Sequence, residues 1–134
     1  MKYAYPAIFT EEEGKILVEV PDLPHTFTFG DDIADAIFMA QDAIAMWLWD
    51  AENENGEIPK PSTKESILEK IDSSTQFVNI VACDTDEYRK QVSTKSVIKS
   101  VSIPEWLDYR AKQVNAPLSF ILQEGLKSHL GIHD

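Results

Sequence analysis

The chain has 134 residues, of which 43% are hydrophobic and 10% aromatic, so it suits one globular domain or two small ones. Its net charge of -11 opposes binding of the whole chain to nucleic acid. The single cysteine, Cys83, excludes an internal disulfide and a cysteine-based zinc cluster. No signal-peptide pattern follows Met1 and no apolar stretch is long enough to span a bilayer, so we expect a soluble, cytoplasmic protein.

The negative charge is concentrated in the first part of the chain. Residues 1–60 contain 13 acidic and 3 basic side chains, a net of -10, and residues 61–93 have a net of -2. Residues 94–134 have a net of +1. This division predicts an acidic domain at 1–93, suited to a basic protein partner, and a separate domain at 94–134 that can approach DNA.

Alternating apolar residues predict three strands of an antiparallel meander at 3–10, 15–20 and 26–29. A helix is expected after Gly30, because Asp31 or Asp32 can cap its free amides. Five apolar residues recur at helical spacing and should pack on the sheet. They are Ile33, Ile37, Ala40, Ile44 and Leu48.

Shorter elements are predicted after this helix. Residues 58–62 should be extended because of their prolines, and a short helix at 63–71 would be capped by Ser62 or Thr63. Gln76 to Cys83 should form a fourth strand, and Thr85 should cap a helix up to Lys90. Residues 92–95 are polar enough to form a hinge between domains.

The last part of the chain predicts a strand followed by two helices. Residues 99–103 alternate in polarity, Pro104 suits the first turn of a helix, and Pro117 suits the start of another. Ribbon-helix-helix DNA-binding proteins use this order, in which two chains pair their strands into a ribbon in the major groove. The predicted class is α+β, with a βαα dimerisation domain at the C-terminal end.

Strand alternation separates the residues that would read DNA from those that would pack. Hydroxyl side chains on the outward face can reach base edges, an isoleucine there can contact a thymine methyl, and Lys99 can reach a phosphate. Free amides around Pro117 can hold another phosphate. The predicted DNA-contacting residues are Lys95, Ile98, Lys99, Ser100, Ser102, Leu118 and Ser119.

The two C-terminal helices are too apolar for so small a monomer. An intertwined dimer would bury this surplus apolar surface. The predicted dimerisation residues are Val101, Ile103, Trp106, Phe120, Ile121, Leu122 and Leu126.

Enzyme chemistry finds little support in the sequence. His25, His129 and His133 have no acidic partner in a metal-binding motif, and no phosphate loop, nucleophile elbow or paired acidic metal site is present. We therefore expect no catalytic residues, no metal and no cofactor; a degenerate nuclease with remaining activity is an improbable alternative.

Several segments of the chain resemble the HicB antitoxin family: Val18–Pro24, Thr28–Asp32, Ala36–Ala43 and Ile58–Ser62. Residues 99–130 resemble the C-terminal domain of those family members that have a ribbon-helix-helix. The resemblance implies a partial ribonuclease-H-like βββαβ domain without nuclease activity. It also implies neutralisation of a small, basic HicA toxin that cleaves mRNA, and repression of the operon that encodes both proteins. His25 and Thr26 replace a glycine-like turn of that family.

The expected partners are thus a HicA-type toxin, operator DNA and a second copy of the chain, while further pairing of dimers stays open. The alternative is a stand-alone ribbon-helix-helix regulator whose N-terminal domain senses a ligand or a protein. Acidic and aromatic residues of the first domain are the candidates for toxin contact: Glu19, Asp22, Asp31, Asp32, Trp47 and Trp49.

Overall fold

The computed structural model describes residues 1–93 and 95–132. Contacts between Cα atoms divide the chain into two compact units, Met1–Lys95 and Ser96–Asp134. Both strands and helices are present, so the predicted α+β class is confirmed. Among the described residues, no helix is long and apolar enough to cross a membrane.

The first unit is built on a four-stranded antiparallel sheet with the order β3-β2-β1-β4. The predicted meander is confirmed as β1 (Lys2–Glu12), β2 (Lys15–Glu19) and β3 (Phe27–Gly30), and the fourth strand as β4 (Gln76–Asp84). β4 pairs with β1, so the longest strand lies inside the sheet, where both its edges are hydrogen-bonded.

Helix α1 (Ile33–Asn53) covers one face of this sheet. Asp32 caps it by accepting a hydrogen bond from the amide of Asp35 at 2.8 Å. The prediction that Ile33 packs on the sheet is wrong. The face of α1 that packs on the sheet contains Ala36 and Ala40, and Ile33 lies outside this face and is exposed. The buried residues of α1 are Ala36, Ala40, Ile44, Ala45 and Leu48.

Two short helices complete the first unit. In α2 (Lys64–Leu68), which is shorter than predicted, Thr63 is the cap. In α3 (Thr85–Val92), the cap is Asp84 rather than Thr85 as predicted, because the buried Thr85 hydroxyl is bonded to Glu52. The helix also occupies Val92, the first residue of the predicted hinge, and Thr94 lies outside the described residues.

The second unit contains α4 (Glu105–Gln113) and α5 (Leu118–Leu130). Pro104 lies at the N-cap of α4, one position before the predicted first turn. The predicted strand at 99–103 is not formed in the single chain, because no described segment supplies its ladder hydrogen bonds.

Candidate functional site

Asp22, a predicted contact of the toxin, is bonded within the fold. Its carboxylate accepts hydrogen bonds from the Ser62 amide at 2.8 Å and from the Ser62 hydroxyl at 2.5 Å. The bonds connect the turn after β2 to the segment before α2, which is 40 residues further along the chain. Asp22 therefore has a structural role of its own.

Asp31 and Asp32 also have partners within the first unit. Asp31 accepts a hydrogen bond from the Lys15 ammonium at 2.8 Å, and this bond lowers the pKa of the Asp31 carboxyl. Asp32 is the cap of α1. Both side chains are exposed, so a protein partner can still approach them.

Trp47 and Trp49 lie on α1 and are only partly exposed. Trp47 packs against the hydrophobic core. Trp49 contacts Tyr88 of α3 edge to face, with ring centroids 6.0 Å apart, and its buried indole nitrogen has no hydrogen-bond partner in the described part of the chain. Much of the surface of both tryptophan side chains is therefore in contact with other parts of the first unit.

Three outward-facing residues on β2 and β3 beside the predicted Glu19 were missed in the sequence analysis. Register pairs Leu17 with Phe29 and Glu19 with Phe27, so these four residues share one face of the sheet and all are exposed. We call this set the β2–β3 outer patch. The alternation of threonine and phenylalanine at 26–29 predicted the strand, and it could also have revealed that the two phenylalanines share one face.

A polar cluster around Glu52 was also missed. The Glu52 carboxylate accepts hydrogen bonds from Tyr3 at 2.8 Å and Thr85 at 3.0 Å, and it pairs with Arg89 at 3.3 Å. Burial, and next the bond to Glu52, raise the pKa of Tyr3 to about 12. The residues of this cluster lie on β1, α1 and α3, which are far apart in the sequence. No short sequence pattern could therefore have predicted the cluster.

The predicted DNA-contacting residues are all exposed; Lys95 ends the first unit and the others lie in the second. Residues 95–104 form neither helix nor strand, so the alternation of Ser100 and Ser102 with Val101 and Ile103 stays a prediction. Leu118 and Ser119 begin α5 directly after Pro117, as expected. Their amides lie in the first turn of this helix, where helices leave amides unpaired.

The predicted dimerisation residues are exposed as well. Neither α4 nor α5 contains a buried residue, and the side chains of Trp106 and Ile121 are 66% and 52% exposed. The same holds for Val101, Ile103, Phe120, Leu122 and Leu126. So large an apolar surface is unusual for a unit that stays a monomer.

The two histidines that the structure describes, His25 and His129, are not part of a metal site. Among residues 1–93 and 95–132, no group of three or more His, Cys, Asp or Glu side chains is placed to hold a metal ion. His25 has a φ of 61°, a backbone region that glycine adopts more readily. His133 lies outside the described residues.

A family model matches most of the chain. It describes a HicB-like antitoxin of a bacterial toxin–antitoxin system, and it covers residues 5–124. Antitoxin HicB 2 of Photorhabdus laumondii subsp. laumondii is 36% identical over 70 residues, which are 52% of this chain and 50% of that protein. The chain thus matches about half the length of this curated relative.

Solved structures with the same fold come from two further bacteria. A toxin–antitoxin complex from Streptococcus pneumoniae contains a chain with a TM-score of 0.60 and 24% identity, covering 96% of this chain and 99% of that one. The antitoxin HicB of Burkholderia pseudomallei has a TM-score of 0.56 and 22% identity, covering 94% and 98%.

Proposed function

Because this chain belongs to the HicB-like antitoxin family of bacterial toxin–antitoxin systems, we propose that it binds and neutralises a HicA-type ribonuclease toxin. The family match over residues 5–124 carries this proposal, since it extends through both units. The chain acts by binding, without catalysis of its own. Its first unit has a partial ribonuclease-H-like fold in this proposal.

The charge of the first unit supports the assignment of the toxin to it. Residues 1–60 have a net charge of -10, and a ribonuclease toxin must be basic enough to hold RNA. Opposite charges accelerate association and favour the correct partner. Of the predicted contacts, Glu19 is exposed on the outer patch, whereas Asp22 is bonded to Ser62.

We further propose that the second unit is one half of a ribbon-helix-helix dimer. A second copy would supply the missing ladder partner for residues 99–103 and cover the apolar side chains of α4 and α5. The paired ribbon would bind operator DNA and repress the operon. The net charge of +1 in residues 94–134 makes this the part of the chain most compatible with phosphate.

Co-expression with the HicA-type protein of the same locus tests the toxin proposal. The two proteins should co-purify, and the chain should stop cleavage of a model mRNA by the purified toxin at stoichiometric concentration. A mobility-shift assay with the promoter of the operon tests repression separately. Cleavage that continues at a large excess of the chain would contradict the antitoxin assignment.

A second candidate is a regulator whose first unit senses a small ligand. It is favoured by an open groove of about 350 Å³ between α1, the end of β4 and α3. Phe38, Ala45 and Tyr88 line it together with the carboxylates of Asp42 and Glu87. Promoter binding that persists without any HicA-type partner, and that responds to small molecules, would favour this candidate.

A further inference from the structure

Two phenylalanines of β3 point away from the core of the first unit. Thr26 is buried and Thr28 partly buried, whereas Phe27 and Phe29 are 68% and 52% exposed. Strands with one solvated face normally direct apolar side chains inward and polar ones outward. β3 does the reverse, and the packing of the unit does not require an apolar side chain at either outward position.

The exposed phenylalanines belong to a continuous surface. Leu17 lies beside Phe29 and Glu19 beside Phe27, which completes the β2–β3 outer patch. Helix α1 packs on the opposite face, where Val18 is buried, and α2 packs on β4 and β1. The helices of the first unit therefore leave the outer patch uncovered.

The backbone of β3 offers a second element of recognition. β3 is the last strand in the sheet order, so one of its sides has no ladder partner among residues 1–93 and 95–132. An exposed edge with large apolar side chains is a template for an added strand. The end of β3 lies close against the first turn of α1, because a Cβ at Gly30 would be 2.2 Å from the backbone nitrogen of Ala36.

Acidic side chains surround this surface. Glu19 lies within the outer patch, and the exposed glutamates at 11–13 lie at the end of β1 and in the turn that follows it. Lys15 is bonded to Asp31 at 2.8 Å and lies 5.2 Å from the ring centre of Phe29. A second copy would bring the same acids together, so charge complementarity favours a basic partner over self-pairing.

We propose that the β2–β3 outer patch docks an extended segment of a basic protein, which pairs with the free edge of β3 and places apolar side chains on Phe27 and Phe29. This inference rests on the proposed function, in which the toxin is that basic protein. Main-chain hydrogen bonds would contribute affinity, and the two rings would contribute specificity.

A double variant of the full chain, Phe27→Thr with Phe29→Thr, tests the surface. Threonine keeps the preference for a strand and removes both rings. The matched control is Ile80→Thr on β4, the other edge strand, where the side chain is 45% exposed. Binding to the HicA-type protein of the same locus, measured by calorimetry, should weaken by about 30-fold or more in the double variant. In the control it should change by less than about 3-fold.

Hydrogen exchange on the wild-type chain provides a second measurement that needs no variant. Those amides of residues 27–30 that point to the free edge of β3, rather than to β2, should become protected when the toxin is added. This result supports the proposal even if circular dichroism shows that the double variant misfolds. Unchanged exchange at these amides in the bound complex would overturn it.

The remaining outcomes separate the inference from the proposed function. If the wild-type chain does not bind the toxin, both fail. If it binds, and the double variant binds equally well, the antitoxin function stands and the docking surface lies elsewhere. Protection of residues 27–30 that rises with the concentration of the chain alone would identify a second copy as the occupant and overturn the proposal.

Discussion

The Asp22 carboxylate holds Ser62 by two hydrogen bonds, one to the backbone nitrogen at 2.8 Å and one to the hydroxyl at 2.5 Å. These bonds fix the chain that leaves α1 against the turn that leads into β3. They also mean that the fold already uses an acid that the sequence indicated as a contact of the toxin.

Replacing Asp22 with alanine should therefore reduce stability. The change removes two bonds to a partly buried carboxylate, and bonds to charged groups contribute about 1.5–3 kcal/mol each at most. Chemical denaturation should show a lower free energy of unfolding. The control is Glu19→Ala, an exposed acid, whose effect should stay within about 0.5 kcal/mol. Equal stability of the two variants would contradict the structural role of Asp22.

The pKa of Tyr3 should depend on Glu52. It is raised to about 12, first by burial and next by the hydrogen bond that Tyr3 donates to Glu52. A raised pKa means that the stabilisation is complete below the ordinary value of 10.0 and is lost as pH rises through about 12. Glu52→Gln should lower the pKa of Tyr3, measured by tyrosinate absorbance with Tyr3→Phe to assign the signal. Glu54→Gln should leave the pKa of Tyr3 unchanged, and the same pKa in both variants would exclude the negative charge of Glu52 as a cause.

Ile121→Asp should separate the two copies of the second unit. In the proposed dimer this change buries an unpaired charge, at a cost of about 3 kcal/mol or more. Sedimentation should show a monomer, and operator binding should be lost while the toxin is still bound. Gln123→Asp, on the same helix, introduces the same charge as a control. A dimer that persists in the Ile121 variant would disprove this packing.

Ser100 and Ser102 should determine which DNA sequence is bound. Replacing both with alanine removes hydrogen-bonding groups worth roughly 1–3 kcal/mol per base contact, and two-fold symmetry removes each contact twice. Anisotropy titrations should show weaker operator binding and unchanged binding to random duplex. Thermal stability and toxin neutralisation should stay the same.

Lys99→Ala is the comparison for this experiment, because a phosphate contact carries no sequence information. Its affinity should fall equally for all duplexes, and the dependence on salt should become shallower. If the double serine variant keeps its preference for the operator, the strand parity is inverted. Val97 and Lys99 would then be the residues that face the bases.

Local patterns in the sequence predicted the elements of the first unit. The strands and α1 were found because side-chain direction repeats every two residues in a strand and every 3.6 in a helix. Asp32 was recognised as a candidate cap for the same reason, since its partner Asp35 is only three residues away. Interactions within one turn or strand can therefore be predicted from the sequence, except where a distant residue competes, as Glu52 does for Thr85.

Contacts between distant segments were decided by the tertiary structure. Asp22 with Ser62 and Glu52 with Tyr3 meet only after the sheet and α1 have packed, so local spacing could not assign their partners. The same packing decided that Thr26 and Thr28 face the core, whereas Phe27 and Phe29 face outward. Residues 99–103 have the sequence pattern of a strand, but a strand forms only where a second segment pairs with it through hydrogen bonds. No described segment of the single chain pairs with these residues.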